Sequence, residues 1–276
     1  MQPLSLFQDT PLIMAHRGGR TLGPENTLHT LRKAKQVGAK CWETDVQLTR
    51  DGEVIILHDL NLLRTTNASA HPDFKNNAPQ VPWRFTLKEL RQLNAAIYPR
   101  RSCPPPVTRK WQEVPDILHP DFRIPTLTEA LQITAELDMW INVEIKDVSR
   151  VLPSVLADSV VQRVLACIKA QGMEDQVIIS SFNHDYVRSA KELAPHILTG
   201  ALTSHRYKGD PVADTLKTKA DAWHPGWRSL TQENVIRARE AGLAVNPYTV
   251  NSVEDMKRFT EWGVTGMVTD CPQDIV

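Results

Sequence analysis

Short apolar runs alternate with helix-like segments along almost the whole chain. The parallel-type strands predicted from these runs are Leu12–Ala15, Cys41–Leu48, Trp140–Ile145, Val177–Ser181, Leu198–Leu202, Ala222–His224, Leu243–Val250 and Gly266–Thr269. Eight strands, each followed by a helix or a turn, are typical of a closed α/β barrel of the TIM (β/α)8 type. An open doubly wound sheet is the alternative. No G-x-G-x-x-G motif follows any strand, which weakens a dinucleotide-binding version of that sheet.

Helices are predicted between these strands from periodicity and capping signals. Thr126 and Glu129 fit a capping box at the start of one of them. The predicted helices are Pro24–Val37, Thr86–Leu93, Thr126–Leu137 and the segments 151–170, 183–193, 211–218, 230–241 and 252–262. Gly38 supplies the C-terminal stop of the first.

A second apolar run, Glu53–Leu57, follows Cys41–Leu48 after only a short Asp51-Gly52 turn. A link of this length makes an antiparallel hairpin, because a parallel crossover needs about a dozen residues or more. The hairpin is therefore an excursion from the barrel. Folding back at Asp51-Gly52 places His58 beside Glu43 and Asp45.

Carboxylates lie on two of the apolar strands. Glu43 and Asp45 are two residues apart, so they share one face of their strand, and Glu144 lies between Val143 and Ile145 on another. An isolated E-x-D pair is usually a solvated acidic face. Here the neighbours are apolar, and carboxylates buried together need a positive partner. Oxygen-only ligands favour Mg²⁺ or Ca²⁺, and possibly Mn²⁺, over zinc.

Two of the nine histidines follow apolar runs beside these carboxylates. A lone histidine is more often a surface or core residue than a catalyst. His16 and His58 differ from the others in this placement, and imidazole is the side chain best suited to exchange protons near neutral pH. Asp59 either orients an imidazole or fills an ordinary turn position.

Two basic residues directly neighbour the same positions. Arg17 and Lys146 are suited to holding phosphoryl oxygens, although each could instead form a structural salt bridge with Glu43 or Glu144. Asn26, in Pro24-Glu25-Asn26-Thr27, is predicted to point back into the site, with local capping as its simpler role.

The region from about residue 61 to residue 125 is irregular. Its last part, Pro99–Pro125, contains three consecutive prolines and is predicted to be an insertion that forms a lid or rim over the C-terminal mouth of the barrel. The whole chain, residues 1–276, is predicted to be a single domain.

Charge and composition exclude several classes of protein. Lys and Arg together number 32, as do Asp and Glu, which gives no support for a nucleic-acid surface. No basic and apolar leader is visible and no run approaches ~18 apolar residues, so neither a signal peptide nor a membrane anchor is expected. The four scattered cysteines indicate free thiols in a reducing compartment, and the predicted location is the cytoplasm.

A series of short motifs resembles the glycerophosphodiester phosphodiesterase family, of the cytoplasmic bacterial type, in the same order along nearly the whole chain. The motifs are His16-Arg17-Gly18, Pro24-Glu25-Asn26-Thr27, Glu43-x-Asp45, His58-Asp59, Arg64-Thr65-Thr66, Ile124-Pro125-Thr126-Leu127, Glu144-Ile145-Lys146, Ser181-Phe182, Tyr248-Thr249-Val250-Asn251 and Thr269-Asp270. Single motifs are weak, but ten in order are highly specific.

The resemblance implies a metal-dependent hydrolase that converts glycerophosphodiesters to an alcohol and sn-glycerol 3-phosphate in a TIM barrel. It implies one divalent cation on Glu43, Asp45 and Glu144, and acid and base roles for His16 and His58. Substrate and phosphate contacts are assigned to Arg17, Lys146, Asn26, Phe182 and Tyr248. Tyr248 stands where the family usually has tryptophan, which puts the substrate preference in doubt but not the reaction.

Two other functions remain open at this point. One is lysophospholipase D chemistry on a lipid with one acyl chain, and the other is a barrel that binds phosphodiesters without turnover. The presence of both histidines and all three acids argues against the pure binder, which needs neither an acid nor a base.

Overall fold

The computed structural model describes residues 11–96, 119–152 and 154–274. Their strands alternate with helices, as predicted. The strands are β1 Leu12–Ala15, β2 Cys41–Leu48, β3 Val54–Ile56, β4 Trp140–Ile145, β5 Val177–Ser181, β6 Leu198–Thr203, β7 Ala222–Pro225, β8 Ala244–Val245 and β9 Gly266–Thr269.

Eight of these strands are parallel and follow one another in the order β8-β7-β6-β5-β4-β2-β1-β9. The sheet curls until its ends meet. Thr265 donates a backbone hydrogen bond to Val245 (2.9 Å) and Val268 donates one to Pro247 (2.9 Å). The predicted (β/α)8 barrel is therefore confirmed, and β3 forms the predicted antiparallel hairpin with β2, Val46 lying opposite Ile56.

Ten α-helices occur in the described part of the chain. They are α1 Leu28–Gln36, α2 Pro72–Lys75, α3 Leu87–Leu90, α4 Leu127–Glu136, α5 Ser154–Ala157, α6 Val160–Ala170, α7 His184–Leu193, α8 Pro211–Lys217, α9 Gln232–Glu240 and α10 Val253–Glu261. Short 3-10 turns cover His16–Gly18, Pro82–Arg84, Pro120–Phe122, Glu174–Gln176, Trp227–Ser229 and Pro272–Asp274.

The first helix begins later than predicted. Pro24 to Thr27 form a loop, because Asn26 takes a left-handed conformation (φ 58°) that cannot belong to a right-handed helix. Thr27 caps α1 instead, its hydroxyl oxygen accepting from the backbone N–H of Thr30 (3.3 Å). This loop leaves the Asn26 side chain free of the helix.

Three other predicted elements were too long, and one of them, the helix predicted over Thr86–Leu93, ends at Leu90. The helix predicted over 151–170 is interrupted between α5 and α6, where the Ser159 hydroxyl donates to the carbonyl of Leu156 (3.0 Å), a local bond that competes with helix formation. The strand predicted over Leu243–Val250 is reduced to β8, since Pro247 has no N–H to continue a ladder.

Alternate residues of each strand point into the barrel. One interior layer is apolar and contains Leu12, Met14, Cys41, Ile178, Leu198, Ala222, Ala244 and Val268. The other strand face packs against the surrounding helices, with Trp42 and Val143 among its fully buried members. Residues further along β2 and β4 in the inward register are Glu43, Asp45 and Glu144, which places these carboxylates above the apolar layer.

The predicted lid at Pro99–Pro125 falls mainly on residues 97–118, which lie outside the described part. The described end of this segment packs against α1, where the Phe122 and His29 rings lie 5.0 Å apart, and against β3, where Ile56 donates to the Pro125 carbonyl (2.8 Å).

Within the described residues, Cys41, Cys167 and Cys271 are free thiols. Among the same residues, none of the helices combines the length and the apolar character needed to cross a bilayer.

Candidate active site

Three carboxylates converge where β2 and β4 run side by side. Asp45 pairs with Glu144 in the parallel register, and Glu43 lies one pleat earlier on the same side of β2. One oxygen from each of the three can be chosen so that all lie within 4.8 Å of one another. The strand register therefore brings together the acids that the sequence predicted.

The three acids carry more negative charge than their surroundings fully balance. Burial, together with the charges of Asp45 and Glu144, holds the pKa of Glu43 well above its usual value. Burial acts in the same direction on Asp45, but Lys146, His58 and Arg17 outweigh it and hold the pKa of Asp45 below its usual value. The cluster therefore lowers its electrostatic energy by gaining positive charge.

Lys146 and Arg17 both contact this cluster. The Lys146 ammonium lies 2.6 Å from Glu144 and 3.3 Å from Asp45, and the Arg17 Nε lies 3.3 Å from Asp45. Of the structural salt bridges considered from sequence, Lys146 with Glu144 is present, whereas the Arg17 side chain pairs with Asp45 and Glu25 and not with Glu43. Both side chains also remain next to the carboxylates, where a phosphate bound there would meet them.

The loop after β1 places its polar groups through unusual backbone geometry. Arg17 has a positive φ of 51°, and its backbone N–H donates to Glu43 (2.9 Å). The backbone N–H of Asn26 donates to the Arg17 carbonyl (2.9 Å), and the Asn26 amide donates to Asp45 (2.8 Å). Asn26 does point into the site, as predicted, and there it orients a carboxylate.

His16 is held at the rim between β1 and β9. Its Nδ1 lies 2.7 Å from an oxygen of Asp270, and its Nε2 lies 3.9 Å from Glu43. Burial and the Arg17 charge lower the pKa of His16, while Asp270 acts in the opposite direction. Asp270 stays ionised despite burial, because His16, Arg20 and Asn251 hold its pKa at about 2.

His58 is held in the same way on the other flank. Its Nδ1 lies 2.7 Å from Asp59, and Asp59 accepts two hydrogen bonds from Arg64 (2.6 and 2.8 Å). Although burial opposes it, hydrogen bonding to His58 and Arg64 lowers the pKa of Asp59. Of the two roles considered for Asp59 from sequence, orientation of an imidazole is the one whose geometry is present.

One buried carboxylate connects the arginines of the two flanks. Glu25 accepts hydrogen bonds from Arg17 (2.8 Å), Arg20 (3.1 Å) and Arg64 (2.6 and 3.0 Å). Burial acts against its charged form, but Arg17, Arg64 and Arg20 hold the pKa of Glu25 well below its usual value. Glu25 thus fixes three guanidinium groups around the site.

Phe182 and Tyr248 lie together at a more exposed part of the rim. Their rings meet edge to face with centroids 5.8 Å apart, and the Tyr248 hydroxyl donates to the Thr203 carbonyl (3.2 Å). Phe182 is 42% exposed, so its ring is accessible to a ligand at this rim.

A cavity of about 590 Å³ opens beside His16 and Asp270. It is bounded by the segments that follow β1, β6, β7, β8 and β9. Its lining residues are Arg20, His205, Gly226, Trp227, Arg228, Tyr248, Thr249, Asn251, Ser252, Asp255 and Asp270. Arg20, Tyr248 and Asp270 belong both to this cavity and to the groups described above.

Sequence reasoning assigned no role to Glu25, Arg20, Arg64, Asn251 or Asp270. Asp270 follows the last strand directly, so the rule that located His16 could also have located it. For Glu25 no comparable signal exists, because its partners are arginines of two separate loops.

The donor set fits a hard divalent cation. It consists of carboxylates alone, it is buried, and burial together with the charges of Asp45 and Glu144 raises the pKa of Glu43, which a bound cation would offset. No thiol or imidazole belongs to this group of described residues, so the set does not resemble a zinc site.

The chain matches the sequence profile of the Glycerophosphoryl diester phosphodiesterase family over residues 16–274. It is 33% identical to a glycerophosphodiester phosphodiesterase of Caldanaerobacter subterraneus subsp. tengcongensis, with 96% of each chain covered. It is 30% identical to a glycerophosphodiester phosphodiesterase of Bacillus subtilis, covering 97% of this chain and 86% of that one.

Solved structures show the same likeness. An Oleispira antarctica phosphodiesterase in complex with the product sn-glycerol-3-phosphate superimposes with a TM-score of 0.76 at 27% identity, covering 98% of this chain and 97% of the other. A putative glycerophosphoryl diester phosphodiesterase from Silicibacter pomeroyi gives a TM-score of 0.81 at 25% identity, covering 98% and 94%.

Proposed function

Because this chain belongs to the glycerophosphoryl diester phosphodiesterase family, and is therefore a phosphoric diester hydrolase, we propose that it releases sn-glycerol 3-phosphate and an alcohol from glycerophosphodiesters by metal-assisted acid and base catalysis. The observation that carries the mechanism is a cluster of three carboxylates flanked by two histidines, each held by its own aspartate. The product complex of the Oleispira relative supports the choice of product.

Glu43, Asp45 and Glu144 would hold one Mg²⁺, Ca²⁺ or Mn²⁺ ion. When bound, such an ion polarises a phosphoryl oxygen and offsets the charge that develops on it. These three residues contribute buried oxygen ligands, and Asn26 keeps Asp45 in place through its amide.

Arg17 and Lys146 hold the phosphate. Both side chains already lie against the carboxylate cluster, and both remain cationic, because the neighbouring carboxylates outweigh burial and raise the pKa of each. Glu25 orients the Arg17 guanidinium. Phe182 and Tyr248 provide an apolar contact for the carbon atoms of the substrate.

His16 and His58 exchange protons with the reacting oxygens. Each imidazole is bonded through Nδ1 to an aspartate, which leaves Nε2 to face the reaction. One histidine removes the proton of the attacking hydroxyl, as its O–P bond forms. The other donates a proton to the alcohol oxygen, as the second O–P bond breaks. The attacking hydroxyl belongs either to water or to the neighbouring glycerol carbon.

Turnover of glycerophosphocholine, glycerophosphoinositol and a lysophosphatidylcholine tests this proposal. We expect release of glycerol 3-phosphate from the two diesters, loss of that release in EDTA, and recovery when Mg²⁺, Ca²⁺ or Mn²⁺ is restored. Faster hydrolysis of the lysophospholipid would favour lysophospholipase D chemistry instead. Binding of all three without hydrolysis, with metal present, would favour the non-catalytic barrel.

A further inference from the structure

We propose that the cavity beside His16 binds the alcohol half of the substrate and selects uncharged, hydroxyl-rich alcohols, such as glycerol and inositol, over the quaternary ammonium of choline. This assignment rests on the proposed phosphodiesterase function and identifies the class of substrate that the site prefers.

The cavity lies where an alcohol group of a bound phosphodiester can reach it. The acidic cluster lies on β2 and β4, whereas the lining of the cavity comes from the segments after β1, β6, β7, β8 and β9. Asp270 both lines the cavity and bonds His16 (2.7 Å). A phosphodiester held at the cluster therefore has room in this direction for one of its two alcohol groups. The cavity volume of about 590 Å³ is within the range of ligand sites.

The charges that line the cavity do not favour a cationic head group. Its two carboxylates already have cationic partners: Asp255 lies 2.6 Å from Arg258, and Asp270 contacts His16 and lies 3.6 Å from Arg20. Neither acid is left to attract a cationic head group. A choline site needs the opposite arrangement, with unpaired negative charge or open aromatic faces.

Trp227 and Tyr248 are the aromatic residues that line the cavity, and the Tyr248 ring is already in edge-to-face contact with Phe182. The Arg228 guanidinium already lies over the Trp227 ring, 4.8 Å from the centroid. No carboxylate of residues 11–96, 119–152 or 154–274 forms an ion pair with Arg228. The cavity therefore presents a positive charge where a quaternary ammonium would have to stack, and repels it.

The Arg228 guanidinium suits a polyol. A guanidinium has five N–H donors and no acceptor, so it bonds hydroxyl oxygens well. His205, another lining residue, is exposed and adds a second side chain that can bond a hydroxyl. Hydroxyl groups of glycerol or inositol can satisfy both without bringing in a charge.

The test compares kcat/KM for glycerophosphoinositol, glycerophosphoglycerol and glycerophosphocholine in the wild-type protein and in Arg228→Ala and Arg228→Glu. We expect the wild type to favour the two polyol diesters by about two- to five-fold, the scale of one exposed cation–π contact. Arg228→Ala should reduce this ratio, and Arg228→Glu should shift it toward choline by a further five-fold or so. Arg188→Ala, an exposed arginine on α7, is the matched control and should leave the ratio unchanged.

Equal kcat/KM values for the three diesters in the wild-type protein would overturn the assignment. So would an equal loss for all three in the Arg228 variants, because it would place the shared glycerol half in the cavity. Calorimetric binding of the three diesters to His58→Ala, with metal present, measures the preference of the cavity separately from turnover. Tighter binding of polyol diesters by a wild-type protein that hydrolyses none of them would support the cavity and overturn the phosphodiesterase function. Hydrolysis of all three diesters without preference would do the reverse.

Discussion

Two histidines of the barrel, His16 and His224, have different surroundings. His224, on β7, is fully buried, and its Nε2 lies 3.0 Å from the Asn246 amide. Burial alone lowers the pKa of His224 to about 4. His16 keeps 13% of its side chain exposed, and Asp270 lies 2.7 Å from it and Glu43 3.9 Å away. Burial thus lowers the pKa of both imidazoles, while of the two only His16 has a carboxylate that acts in the opposite direction.

His16 and His224 also differ in how tightly their rings are packed. A Cβ added at Gly200 would lie 2.6 Å from the His224 Nε2, so β6 must have a glycine there to admit the ring. His16 follows the end of β1 in a 3-10 turn and faces the rim. The interior histidine is a packing element, whereas the rim histidine has the setting of an acid or base. The following experiments test this contrast.

The largest effect is expected at the acidic cluster. Glu43→Gln, Asp45→Asn and Glu144→Gln each remove a ligand charge, and metal-assisted phosphoryl chemistry depends on several kcal/mol from the ion, so activity should fall about 10³-fold or more. Metal affinity measured by calorimetry should fall in parallel. Full activity of all three variants in excess chelator would remove the metal from the mechanism.

The histidine variants test the contrast directly. His16→Ala and His58→Ala should each lose about 10²-fold or more in turnover while keeping the fold. His224→Gln is the control inside the same barrel and should keep activity within a few-fold. The measurements are kcat and the circular dichroism spectrum of each variant. A small effect at His16 together with a large one at His224 would reverse the assignment.

A stability change without an activity change is expected at Gly200. Gly200→Ala introduces a methyl group into the His224 ring and should destabilise the protein by about 1–3 kcal/mol, as overpacking usually does. Adding His224→Ala should recover part of that loss, because the two changes relieve one another. Chemical denaturation measures all three variants. Additive losses would show that the ring and the glycine are not in contact.

The smallest effect concerns acid sensitivity. Since burial lowers the pKa of His224 from 6.5 to about 4, the unfolded chain binds a proton more readily than the folded one between these values. Stability should therefore fall as the pH drops from 6.5 toward 4, by about 1 kcal/mol at pH 6 and more below it. His224→Gln should flatten this part of the curve of Tm against pH. An unchanged slope would mean that other groups cause the acid sensitivity.

Much of the site follows from strand periodicity. Glu43 and Asp45 share a face because side chains alternate along β2, and the short Asp51-Gly52 link dictates a hairpin that returns His58 to them. The start of α1 was missed because the left-handed conformation of Asn26 depends on its bonds to Asp45 and Thr44, both on β2. Propensity at Pro24-Glu25 alone favoured an earlier helix start.

The sequence by itself determined the alternation of strands and helices, the two histidines at strand ends and the acids on one face, since each depends on neighbours along the chain. Only the tertiary structure decided which groups become partners. Asp270 meets His16 across 254 positions because β9 closes the barrel against β1. Glu25 accepts hydrogen bonds from Arg17, Arg20 and Arg64 because two loops meet above the strands. Trp227, Tyr248 and Asp270 line one cavity although they belong to three separate segments of the chain. These contacts depend on barrel closure and loop packing, which no local pattern encodes.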